Sequence, residues 1–125
     1  MMDQPSMREL VIAVRDFLEQ RAMPELKGHT AFHARVAANA LGIVARELES
    51  GGATGEAERV RLAGLLGHDG TLLELNRALC AAIRDGRMGL DTPGMAEHLT
   101  LTTRDKVAID QPNYGGLKRL LADGG

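Results

Sequence analysis

The chain has 125 residues, with 15 basic and 17 acidic side chains and a formal net charge of −2. That length suits one domain able to bury a core of its own, and so even a balance, with no run of like charge, argues against a nucleic-acid arm or a membrane-surface patch. The aromatic residues are Phe17, Phe32 and Tyr114, too few rings for the stacking platforms that hold single-stranded nucleic acid.

Cys80 is the single cysteine. One thiol closes no internal disulfide and builds no cysteine-rich metal motif. The start, MMDQPSMREL, lacks the basic region and apolar run of a secretory signal, and no apolar stretch is long enough to cross a bilayer. The expectation is a cytoplasmic protein with no membrane partner.

Taken in order, the first helix is expected from about Ser6 to Gln20. Ser6 followed by Glu9 has the spacing of a capping box, and Met7, Leu10, Val11, Val14, Phe17 and Leu18 fall on one helical face. Met23-Pro24 is expected to break it, and Thr30 to cap the next helix. That second helix, from about Ala31 to Glu49, reads as the central one. Phe32, Val36 and Ile43 share a stripe that contains Asn39, while Leu41, Val44 and Leu48 form another stripe nearly opposite. Between them run Ala34, Ala38, Gly42 and Ala45, small enough to admit a second helix closely. A helix so patterned is expected to be surrounded by neighbours, with Asn39 buried and hydrogen-bonded.

The glycine-rich stretch Ser50–Gly55 is expected to end this helix. A third helix follows from about Glu56 to Leu66, with Leu62, Leu65 and Leu66 inward. After the Gly67-His68-Asp69-Gly70 turn, Thr71 and Glu74 form a second capping box. The fourth helix reaches Asp85 with Leu72, Leu75, Leu79 and Ile83 inward, Cys80 beside them as a packed thiol, and Gly86 closing it. Thr92-Pro93 reads as a cap followed by a first-turn proline. Residues 95–110 are ambiguous, since HLTLTT alternates like a strand. Helix is preferred because a lone strand here has no pairing partner. Tyr114 to Ala122 suits a short terminal helix. The expected fold is an all-α single-domain bundle over residues 1–125, of about five helices plus the short C-terminal one.

Two constellations are candidates for chemistry. Arg35 and Asn39 lie one turn apart on the second helix, and Lys106 and Asp110 one turn apart on the fifth. A buried amide or charge is costly unless paired, so these four, with Asn76, read first as a polar network fixing helix packing. Their functional reading is a ligand pocket in which Arg35 and Lys106 hold a small anion. His33 with the adjacent His68 and Asp69, and Asp105 or Asp110 beyond, has the residue types of the HD superfamily of helical metal-dependent phosphohydrolases. A divalent metal held there would activate water. The flanking glycines make His68-Asp69 a turn, however, and no metal or other cofactor is expected. His29 and His33 lack the glutamate a zincin needs, and no phosphate-binding or nucleophile-elbow motif occurs.

The segments GHTAFHARVAANAL, IVARELE, LLGHDGTLLELN and DKVAIDQPNY together resemble an uncharacterised bacterial domain-of-unknown-function family. The likeness covers nearly the whole chain and keeps the motif order. Members of that family look like small helical proteins encoded beside aminoglycoside-phosphotransferase-like kinases and acyl-CoA dehydrogenase-like enzymes. The resemblance implies helix over 95–110 and a partner role beside such enzymes, and offers no activity to transfer. The reading is a non-catalytic accessory or interaction protein, with a kinase-like phosphotransferase or acyl-CoA-metabolising enzyme as partner and homo-oligomers open. The alternatives are the HD-like phosphohydrolase and a small-anion binding module.

Overall fold

The computed structural model describes residues 3–124, which are helical throughout with short turns and, among those residues, no strand. Six α-helices follow in order: α1 Met7–Phe17, α2 Gly28–Arg46, α3 Gly52–Leu66, α4 Leu72–Arg84, α5 Met95–Asp110 and α6 Gly115–Gly124. The protein is all-α, and its residues fall into two compact units that divide between Gly51 and Gly52.

In the first unit α1 packs against α2. Ser6 caps α1 as its spacing predicts: Ser6 Oγ accepts from the Glu9 amide at 3.2 Å, and Glu9 Oε1 accepts from the Ser6 amide at 3.4 Å. The proline break is softer than expected. Leu18–Ala22 widens into a π turn and Met23–Glu25 tightens into a 3₁₀ turn, so the backbone leaves helical geometry only at Leu26. Pro24 is the second residue of that tighter turn, where its missing N–H has no role to fill. α2 then starts at Gly28 rather than after Thr30. Gly28 takes a φ of +64°, which a residue with a Cβ rarely adopts, and this brings the turn forward.

α2 buries Ala38, Gly42 and Ala45 only. The small-residue stripe makes the close contact, as anticipated, but the helix is not surrounded. Phe32, Val36, Val44 and Leu48 are exposed, and so is Asn39. The expectation of a buried Asn39 is therefore corrected. One neighbouring helix can cover only one face of α2, and the small residues take that face. Nor does the chain break at Ser50–Gly55: residues 47–51 form a π turn and α3 begins at Gly52.

The second unit holds the larger core. Leu62, Leu75, Leu79 and Met95 are buried together, with Ala63, Leu66, Leu72 and Met88 packed around them. α3 is the hub, packing against both α4 and α5, and α6 packs on α5. Thr71 caps α4 through the Glu74 amide at 3.2 Å. Its far end closes at Gly86, whose φ of +77° lets the Arg87 amide reach back to the Ala82 carbonyl at 2.9 Å. Ile83 and Cys80, both expected to pack inward, are exposed. Leu75, Leu79 and Ala82 set the buried line of α4, and these two lie off it. α5 is helical over all 16 residues, as preferred over a strand. Its cap is Gly94, however, because Thr92 turns its hydroxyl to accept from the Gly89 amide at 3.0 Å.

Candidate functional site

α3 carries Glu58, Arg61, Leu62 and Leu65 at a spacing that puts them on adjoining parts of one face. Leu62 anchors that face in the core, and Glu58, one turn earlier, is drawn in with it to only 7% exposure. α5 presents His98, one turn after the buried Met95 and 3% exposed itself, and Thr102 one turn further on.

The two helices meet through Arg61. Its Nε donates to His98 Nδ1 at 3.3 Å and its Nη2 to Thr102 Oγ1 at 3.1 Å. From α4, Asn76 Nδ2 donates to Glu58 Oε1 at 3.4 Å and to the Leu72 carbonyl at 3.1 Å. α3 thus makes polar contacts with both neighbours, to α5 through Arg61 and to α4 through Glu58, and among the described residues no buried side-chain polar atom is left without a partner.

Accepting at Nδ1 requires the neutral imidazole with its proton on Nε2. Protonation would break the Arg61 bond and set imidazolium against guanidinium. Burial first, and the Arg61 charge second, hold His98 below the usual histidine range; Glu58 pulls the other way, and Lys106 adds a weaker downward push. Arg61 is unusual in a second respect. Both its acceptors are neutral, and among the described residues no carboxylate reaches it as an ion pair.

Beside the cluster lies an open cleft of about 500 Å³. Arg61, Gly64 and Leu65 of α3 form one wall, Thr92, Pro93 and Gly94 of the connecting loop another, and Glu97 and His98 of α5 the rest. Gly64 stands inside α3, where a Cβ would meet nothing within 4 Å.

The residues singled out in the sequence lie elsewhere. Arg35 and Asn39 are exposed on α2 in the first unit, and Lys106 and Asp110 are exposed on α5 in the second. None of the four is the buried network member that the packing reading required. Asn76 belongs to the Glu58 cluster instead. His33 is exposed on α2, its ring edge-on to Phe32 with centroids 5.5 Å apart. His68 and Asp69 are exposed in the turn before α4. The Asp69 carboxylate accepts from Arg59 and from the Gly70 amide. Arg59 also grips Glu56 at 2.7 and 2.9 Å, which holds that exposed carboxyl below its ordinary range and raises the guanidinium. Among the described residues no group of three or more His, Cys, Asp or Glu is placed to hold a metal ion. Asp105 is engaged by its neighbour Arg104 at 2.9 and 3.1 Å.

Glu58, Arg61, His98 and Thr102 escaped the sequence reading. The signal was present, since Glu58 precedes Leu62 by one turn and His98 follows Met95 by three residues. Assigning it required α5 to be a helix of known face, which HLTLTT obscured.

The fold and the site define an all-helical protein in which α3 carries polar contacts to two neighbouring helices. A family profile described as a domain of unknown function, DUF6285, matches residues 24–114. The chain belongs to that family. No curated protein and no solved structure matches it.

Proposed function

We propose that the protein is a non-catalytic interaction module whose first unit docks onto a partner protein. One observation carries the reading: among its described residues this unit buries no large apolar side chain. Ala38, Gly42 and Ala45 are its buried residues, while Met7, Leu10, Val14 and Phe17 of α1 and Phe32 and Val36 of α2 stay exposed. Phe17 and Phe32 are 58% and 60% exposed. Two helices with so little buried between them gain little from packing, and a partner that covers the apolar residues supplies the missing burial. Aromatic anchors with arginine and amide groups among them suit such an interface. Arg35 and Asn39, one turn apart on α2, serve as its polar contacts.

The partner we favour is a kinase-like phosphotransferase or an acyl-CoA-metabolising enzyme. The likeness of four segments to a family encoded beside such enzymes directs that choice. The test is purification of the tagged chain from its own host. Wild type is expected to bring down a phosphotransferase-like or acyl-CoA enzyme, and the Phe17→Asp, Phe32→Asp double variant to lose it while keeping its helical content. Equal recovery with both proteins would refute the docking surface.

A further inference from the structure

We propose that the cleft between α3 and the start of α5 binds a small monocarboxylate, with its head on Arg61 and a short aliphatic body against Leu65 and Pro93. The site is separate from the docking surface, and the inference does not depend on it. Three observations carry it.

The first is the guanidinium. A half-buried arginine normally finds a carboxylate, because desolvating the charge is otherwise costly. Arg61 instead holds two neutral acceptors, His98 and Thr102, through Nε and Nη2. Those bonds fix the plane of the fork and leave Nη1 without a protein acceptor among the described residues. A carboxylate is the planar anion that matches this donor.

The second is Gly64. Glycine inside a helix is less favourable than alanine, and packing gives no reason for it, since a Cβ there meets nothing within 4 Å. The empty position faces the cleft. A ligand lying along α3 supplies a reason for the missing side chain.

The third is the character of the walls. Leu65 and Pro93 offer apolar surface for a short chain, and the volume of about 500 Å³ suits a small molecule. Glu97, also lining the cleft, adds a negative charge that disfavours a dianion more than a singly charged head.

The test is a titration of the isotope-labelled protein with sodium butyrate, followed by amide NMR at constant ionic strength. Inorganic phosphate is the competing probe and sodium chloride the salt control. Butyrate is expected to shift the Gly64, Leu65 and Glu97 amides saturably, and more tightly than phosphate. Gly64→Leu puts a side chain into the cleft from a position where its Cβ meets nothing within 4 Å, and is expected to weaken butyrate at least tenfold with no fall in the unfolding midpoint. Arg61→Gln is expected to abolish binding. Because loss of Arg61 also disturbs His98, the Gly64 variant decides the matter. The proposal is overturned by shifts that do not saturate, by the same shifts in sodium chloride, by phosphate binding more tightly than butyrate, or by unchanged affinity in Gly64→Leu.

Discussion

At the scale of single residues, His98 makes the sharpest demand. Its folded pKa lies below the ordinary value of about 6.5, chiefly through burial and next through Arg61. The unfolded chain therefore takes up the proton first as pH falls. The sign follows: the stability tied to neutral His98 is complete above about pH 6.5 and declines below it, until the folded form also protonates. Urea midpoints at pH 7.5, 6.5 and 5.5 should fall across this window in wild type and less steeply in His98→Gln. Parallel slopes would mean that carboxylates elsewhere dominate. Asn39 behaves oppositely. With the amide in solvent, Asn39→Leu should change stability by less than about 0.5 kcal/mol, where a buried, bonded amide would cost about 1–3 kcal/mol. A urea midpoint clearly lowered in the variant would contradict the exposed position. Asn39 lies within an apolar stripe, and that placement predicts burial. A stripe reports which residues can share a face, not whether anything covers it.

At the scale of elements, local chemistry was the most readable part of the sequence. The Ser6–Glu9 and Thr71–Glu74 caps form at the expected positions because each needs only a hydroxyl and an amide three residues apart. Breaks were harder to place. Ser50–Gly55 has the composition of a loop yet forms a π turn and the start of α3, since a glycine run permits a break without imposing one. The caps also separate the two units. Thr71→Ala removes a bond at the entry to α4, which carries Leu75 and Leu79 of the core, and should lower the stability of the second unit by about 1 kcal/mol, seen as a lower midpoint. Ser6→Ala should instead raise amide exchange locally in α1, with a smaller effect on that midpoint. Equal shifts in the global midpoint from both variants would contradict the unequal burial of the two units.

At the scale of the molecule, that inequality is the main structural result. The second unit encloses Leu62, Leu75, Leu79 and Met95, whereas the first pairs two amphipathic helices through alanine and glycine. Composition announced helices and the helical spacing of apolar residues announced their faces, so the all-α class was legible. The candidate site was not, because His98 and Arg61 meet across 37 residues of sequence and no local pattern links them. The docking claim rests on what covers Phe17 and Phe32 in the cell. A photo-crosslinking amino acid placed at each of these positions, and at exposed Leu90 of the second unit as a control, addresses it directly. Mass spectrometry of the adducts should identify one phosphotransferase-like or acyl-CoA enzyme from both phenylalanine positions and not from position 90. Absence of any adduct at 17 and 32, equal labelling from 90, or adducts only with a second copy of this chain would contradict the account.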